Sequence, residues 1–186
     1  ITKKGVSMKT IITMILMMAV SLSQGVVYMD LGLAPSADME VTLDGVSISD
    51  SEDLETGSVS IGYYQPVYQI SDKMGLFVGG SYEVMPAKDE DVEFGFMVLY
   101  GSVGYSLSDQ LSAWGSLGMS MPTSDDLKDV DAENGMHMGM GFTYSATDKI
   151  GVALGYVVNS TSTDMGDGMS VDWDFSKLVL SLGYRL

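Results

Sequence analysis

The sequence predicts an all-β fold, an eight-stranded antiparallel up-and-down β-barrel, and three observations favour it. Apolar residues recur at every second position over most of the chain, which is typical of strands and not of helices. The two faces of each alternating segment differ in side-chain size as well as in polarity. Short and long connections alternate between the segments, as they do in barrels that cross a membrane.

Eight alternating segments are the predicted strands. The last is the clearest, because leucine or tyrosine occupies every second position up to Leu186. In the fourth, the even positions from Val92 to Tyr100 form the apolar face, whereas Val103 and Tyr105 have the opposite parity, so a β-bulge is expected between them. The segments are residues 26–33, 58–64, 76–84, 92–105, 112–121, 136–144, 150–159 and 177–186.

One face of the predicted strands is continuously apolar, and the other consists mainly of Gly, Ser and Ala. A soluble β-sandwich would bury its large residues and expose its polar ones. A barrel of eight strands has little room inside, so we expect small side chains to point inward and the bulky face to point toward lipid. A closed sheet also pairs the backbone groups that lipid cannot satisfy. The predicted barrel is therefore transmembrane.

Three short connections share a Ser-Asp or Thr-Asp pair at the bend, within residues 68–73, 105–110 and 144–149. These side chains favour turns because they bond to nearby backbone amides. The connections at the opposite end are long and hold 19 of the 25 acidic residues; they are residues 34–57, 86–91, 122–134 and 160–174. The first is long enough to contain a hairpin of its own, for example at Asp44-Gly45. Because the strand count is even, both termini of the barrel domain are expected on the side of the short turns, which is the periplasmic side.

Length and charge exclude several classes of protein. The chain has 186 residues, enough for one domain, and a formal net charge of −16, which makes duplex nucleic acid an improbable partner. It contains no cysteine, so a disulfide framework, a Cys-ligated zinc site and a thiol nucleophile are excluded.

The start of the chain is interpreted as a targeting segment. Residues 1–7 precede the first methionine, Met8, and are read as upstream or vector sequence. Residues 8–23 have the pattern of a secretory signal peptide, with Lys9 before an apolar run, Ile11 to Val20, that is too short for a membrane helix. Residues 24–186 are then the barrel domain.

With these features the chain resembles the small outer-membrane β-barrels, the family of the OmpA membrane domain, OmpX and the opacity-type proteins. The resemblance covers residues 24–186 and rests on the signal peptide, the strands, the short turns and the closing strand Leu178 to Leu186. That strand usually ends in an aromatic residue in the family, and here it ends in leucine. The resemblance implies a Gram-negative outer-membrane location, contact with lipid and lipopolysaccharide, recognition of the closing strand by the barrel assembly machinery, and a monomer.

Five charged residues are predicted to form a network in the lumen: Asp30, Glu83, Glu93, Lys177 and Arg185. Buried charges need partners of opposite sign, so the two basic residues are expected to pair with the acids and plug the barrel. An ion path through the same residues is the alternative interpretation.

No catalytic, cofactor or metal site is predicted. His137, the single histidine, has no serine two residues away, as a lipid A deacylase of this fold would have, and no other nucleophile is indicated. The acidic loops lack a regular calcium-binding spacing, so a solvated surface is favoured over a calcium site.

The predicted function is non-enzymatic: a structural or surface-interaction role with acidic loops outside the cell. A narrow porin-like channel for small or hydrophobic solutes is the alternative, and a lipid A-modifying enzyme is a third, less favoured one. Fold pattern alone does not decide among them.

Overall fold

The computed structural model describes residues 25–90, 92–166 and 169–186. The predicted upstream residues 1–7 and signal peptide 8–23 lie outside the described residues. The elements in chain order are β1 (Val26–Leu43), β2 (Val46–Asp53), β3 (Ser58–Ser71), β4 (Met74–Met85), β5 (Ala87–Asp89), β6 (Val92–Phe94), β7 (Phe96–Ser106), β8 (Leu111–Pro122), α1 (Asp125–Asp129), β9 (Gly135–Ser145), β10 (Ile150–Gly166) and β11 (Met169–Arg185).

Eight of these strands form a closed antiparallel ring, which confirms the predicted fold class. Each of β1, β3, β4, β7, β8, β9, β10 and β11 pairs with the next, and β11 pairs with β1 to close the sheet. The closing pair aligns Val26 with Arg185 and Leu33 with Leu178 without interruption. In the part of the chain that the structure describes, no helix is long and apolar enough to span a bilayer.

The three short turns lie at the end of the barrel where β1 begins and β11 ends. Their hydroxyls bond to the backbone as expected: Thr147 Oγ1 accepts from the Ile150 N–H at 2.9 Å, and Ser108 Oγ accepts from the Leu111 N–H at 3.1 Å. These bonds fix the bends by the local side-chain mechanism that the sequence predicts.

At the opposite end, three barrel strands continue beyond the ring and a fourth strand joins them. We call the resulting layer the outer sheet; it consists of residues 46–53 of β2, 36–43 of β1, 169–176 of β11 and 159–166 of β10, in that spatial order. The predicted hairpin at Asp44-Gly45 is confirmed, and both turn residues have positive φ (49° and 82°), as a type I′ turn requires. The expected loop at 160–174 is instead an extension of β10 and β11.

A bulge at Ala34 and Pro35 sets the orientation of the outer half of β1. Leu33 pairs with Leu178 and Ser36 with Ser176, so β1 has one residue more than β11 between these pairs. The extra residue reverses the parity of β1. As a result Ala37 and Met39 continue the inward face, opposite Phe175 and Trp173.

The bulge predicted within residues 92–105 is wrong. β7 keeps an unbroken register with both neighbours from Phe96 onward, and Gly95 separates it from the short strand β6. Phe96 and Val98 are 2 % and 4 % exposed and Tyr100 is half-buried, so these residues face inward and not toward lipid as expected. Val103 and Tyr105 lie on the outward face with Met97 and Leu99.

Large aromatic side chains occupy the lumen together with the small ones, a point on which the expectation of a uniformly small interior is wrong. Glycines on neighbouring strands make the space. A Cβ added to Gly62 would lie 2.3 Å from the Tyr28 ring, and one added to Gly155 would lie 2.6 Å from Trp114. The inward glycines therefore leave room for aromatic rings, which pack directly against the glycine backbone.

The long connections bury a small apolar cluster over the outer mouth of the barrel, which we call the cap. Its fully buried members are Leu54, Ala87, Phe96, Val98, Leu127 and Phe175. The Phe175 ring lies 5.2 Å from that of Phe96 and 4.8 Å from that of Phe94. Aromatic contacts at such distances add to the apolar burial that holds the cap.

Replacing Gly62 with valine is expected to lower the stability of the barrel by about 1–3 kcal/mol, because the new side chain collides with Tyr28. Gly101 is the matched control: it is exposed, and its added Cβ would have its nearest neighbour 4.0 Å away. The measurement is the temperature at which the folded band converts to the unfolded band on detergent gels. An equal decrease in both variants would contradict this account of the packing.

Candidate functional site: the lumen and the outer sheet

An ion pair crosses the lumen below the cap. Lys177 on β11 pairs with Glu83 on β4, and the two side chains are 10 % and 5 % exposed. The Lys177 ammonium also donates to Ser58 Oγ on β3 at 2.9 Å. The pair therefore joins β11 to β4, which is three strands away around the ring, through the interior of the barrel.

Asp30 points into the same region and has fewer partners. It lies opposite Ser181 in the β1–β11 register and interacts electrostatically with Lys177. Within the described part of the chain, Asp30 Oδ1 and Glu83 Oε2 are buried without a hydrogen-bond partner. A cavity of about 10 Å³, room for one water, lies against Glu83 and Lys177 on one side and against Phe96 and other cap residues on the other.

Two residues of the predicted lumen network lie elsewhere. Glu93 is on β6, in the connection outside the ring, and pairs there with Lys88 at a half-exposed position. Its assignment to the lumen is wrong because β6 belongs to the cap region and not to the barrel wall. Arg185 is exposed at the short-turn end, and it forms none of the ion pairs found among the described residues. Of the five residues, the structure brings Asp30, Glu83 and Lys177 together.

His137 belongs to a hydrogen-bonded relay that the sequence did not reveal. Its Nε2 lies 3.1 Å from Ser116 Oγ, and its Nδ1 lies 2.8 Å from Asn159 Oδ1. The three residues are on adjacent strands, β8, β9 and β10, and are 7 %, 7 % and 3 % exposed. Ser116 lies on the neighbouring strand, 21 residues from His137, so a search for a serine close to His137 in sequence misses it. The alternation does place both residues on the inward face, and this was the only indication in the sequence that they could meet.

The relay has the order of a hydrolase triad, namely hydroxyl, imidazole and an orienting group. Catalysis also requires space for a substrate carbonyl next to the hydroxyl. The water-sized cavity touches Asn159 but neither Ser116 nor His137. In this packing the relay satisfies buried polar groups and joins three strands, which is the usual state of polar side chains in an interior.

The charged side chains of the outer sheet are all acidic. Its four strand segments contain eight acidic residues and no lysine, arginine or histidine. One face bears Asp38, Glu40, Asp172 and Asp174, while the other continues the inward face of the barrel. In the described residues, no group of three or more histidine or acidic side chains is placed to hold a metal ion.

Replacing Lys177 with methionine is expected to destabilise the barrel by about 3–5 kcal/mol, because Glu83 would remain buried without its counter-charge. Adding Glu83→Gln to that variant is expected to restore most of the loss. Arg185→Leu serves as the control and is expected to have little effect, since Arg185 is exposed. Detergent-gel unfolding temperatures check all three; equal losses for the Lys177 and Arg185 variants would refute the lumen pair as a stabilising contact.

No family model and no curated protein matches this chain. Solved structures match it in architecture, at low identity. Ail, the attachment invasion locus protein of Yersinia pestis, is 15 % identical, with 88 % of this chain and 99 % of that chain covered and a TM-score of 0.43. Neisserial surface protein A is 10 % identical, with 86 % and 97 % covered and a TM-score of 0.44.

The outer membrane protease OmpT from Escherichia coli is 8 % identical, with 89 % and 98 % covered and a TM-score of 0.48. At these identities the likeness concerns the fold alone. It assigns neither a family nor an activity to this chain.

Proposed function

We propose that this chain is a closed, non-enzymatic barrel of the outer membrane that presents an acidic sheet to cationic partners outside the cell. The membrane placement is supported by the outward face of the ring. Leu117, Met140 and Leu154, in the middle of their strands, are 63 %, 67 % and 57 % exposed. An apolar belt of this extent is unfavourable in water and favourable in lipid.

The closed lumen supports a non-conducting barrel. Aromatic rings, the Glu83–Lys177 pair and the cap occupy successive levels between the short-turn end and the outer mouth. The Tyr28 and Tyr100 hydroxyls meet at 2.9 Å across the interior. A hydrated ion would have to displace several of these contacts, so a resting pore is disfavoured.

The observation that carries the interaction role is the outer sheet itself. Eight acidic residues without a basic one project beyond the ring on a hydrogen-bonded scaffold. A one-sign surface of this kind attracts oppositely charged partners over about 8–10 Å in physiological salt and repels like-charged ones. Contact with lipopolysaccharide, recognition by the barrel assembly machinery and a monomeric state are further parts of the proposal.

Binding of polylysine to the protein in neutral phospholipid vesicles tests this role. The triple variant Asp50→Asn, Glu52→Gln, Asp53→Asn is expected to weaken binding about tenfold at low salt, because it removes three acids of β2. The matched control removes three acids of the short turns, Asp72, Asp109 and Asp148, by the same chemistry and is expected to leave binding at the outer face unchanged. Equal weakening by both sets would contradict a role for the outer sheet.

Single-channel recording in planar bilayers tests the alternative function. The proposal expects no steps of conductance above the baseline, because the lumen is filled. Regular openings by the unmodified protein would favour the narrow channel instead. Labelling of Ser116 by a fluorophosphonate would likewise contradict the non-enzymatic part of the proposal.

A further inference from the structure

β2 has one paired edge and one free edge. Within the described chain it forms a ladder only with β1, over eight consecutive residue pairs without a bulge. All eight of its residues are exposed. Natural edge strands are usually protected by proline, charged side chains, a bulge or a covering segment. β2 has no proline, and its charged residues, Asp50, Glu52 and Asp53, are all acidic, so they do not repel a basic strand.

The turn between β1 and β2 determines which backbone groups the free edge offers. In a hairpin with a two-residue type I′ turn, the residues that flank the turn, Leu43 and Val46, exchange hydrogen bonds with each other. Bonded and non-bonded pairs alternate from there, so Ile48, Asp50 and Glu52 also direct their N–H and C=O groups to β1. Ser47 and Ser49 therefore direct theirs to the open side, as does Ser51, whose N–H already donates to Asp50 Oδ1 at 3.0 Å.

The free edge is held in place before any partner arrives. β1 is paired with β11 on its other side over residues 36–43, and β11 is paired with β10. At the base of β2, the Leu54 N–H donates to the Pro35 carbonyl at 2.8 Å, and Thr56 bridges to Lys88. Because β2 is already ordered within a four-stranded layer, binding of a fifth strand would not require further loss of conformational entropy in β2.

We propose that the free edge of β2 binds an extended cationic polypeptide, which adds to the outer sheet as a fifth strand. This inference rests on the proposed function and specifies the partner of the same surface. A bound strand would be aligned by backbone hydrogen bonds to Ser47, to Ser49 and to the Ser51 carbonyl. The charge of the sheet selects a basic segment.

The face pattern of β2 specifies which residues the partner carries. On the side that continues the barrel interior, Val46 and Ile48 stand near the turn and Asp50 and Glu52 nearer the ring. Val46 and Ile48 are 68 % and 73 % exposed. A bound strand therefore places apolar side chains beside the first two and basic side chains beside the other two. Cross-strand neighbours of these kinds stabilise one another.

A second copy of this chain does not fit the same edge. An antiparallel pairing of β2 with itself about Ser49 would place Asp50 and Glu52 opposite Ile48 and Val46 of the other copy, and neither strand carries a basic residue. The carboxylates would lose hydration beside apolar side chains without gaining a counter-charge. The free edge is thus selective for a foreign, basic strand.

The test uses the full chain in neutral vesicles and a synthetic peptide, Lys-Thr-Lys-Thr-Ile-Thr-Val-Thr, whose antiparallel pairing satisfies the face pattern. Fluorescence titration gives its Kd. Ser49→Pro removes an outward N–H without touching the bonds to β1, and it is expected to weaken binding about tenfold, the effect of one or two lost hydrogen bonds. Ser49→Ala, which keeps the N–H, is the matched control and is expected to bind as the parent does.

Two further peptides keep the result independent of how the proline variant folds. The same peptide with N-methylated threonines keeps its charge but cannot donate to β2, and a version with the lysines exchanged for the apolar residues breaks the face pattern. Both are expected to bind the unmodified protein at least about tenfold more weakly. Equal binding of the N-methylated peptide would overturn strand addition while leaving the charge-based proposal intact. Failure of all peptides and of polylysine would overturn both.

Discussion

Closure of the sheet between β1 and β11 is the constraint on which the rest of the structure depends. A lipid environment offers no partner for backbone N–H and C=O groups, so a spanning sheet must have no open edge within it. The uninterrupted register from Val26–Arg185 to Leu33–Leu178 provides this closure. It also determines which residues of β1 and β11 share the inward face. Lys177 faces Glu83 across the lumen only because β11 joins the ring in this register.

Closure at eight strands then determines how the interior is filled. The ring is too narrow for a large side chain at every inward position, and pairs of glycine and aromatic residues on adjacent strands share the space. Polar groups that remain are joined to one another: Ser116 to His137 to Asn159, and Glu83 to Lys177 to Ser58. The lumen is in this sense similar to an ordinary protein core, with rings packed and most polar side chains paired, inside a wall whose outside is apolar; Asp30 Oδ1 and Glu83 Oε2 are buried without a hydrogen-bond partner.

Alternation along the chain was sufficient to predict the eight barrel strands, the short turns and the hairpin at Asp44-Gly45, because each depends on local chemistry. It failed at residues 92–100, where both sides of the strand are apolar: Phe96 and Val98 face the cap while Met97 and Leu99 face outward. Parity predicted the inward positions of Glu83 and Lys177 but not the relay at His137, since pairing across strands depends on register. Glu93 was misplaced because β6 ends before the wall begins at Phe96.

The extra residue at Ala34 has a consequence for how such a surface varies among sequences. Without the bulge the same residues would continue in the register of the ring, so that Asp38 and Glu40 would lie opposite Trp173 and Val171, and Met39 opposite Asp172. A change of length at this point preserves the two faces of the outer sheet only when Ser36 still pairs with Ser176, as it would if one residue of the bulge were removed. Lengthening at the distal turn, by contrast, adds cross-strand pairs without changing which side is charged. The length of the outer sheet can therefore vary at the turn between β1 and β2 without changing its faces, whereas a change of length at the bulge can exchange them.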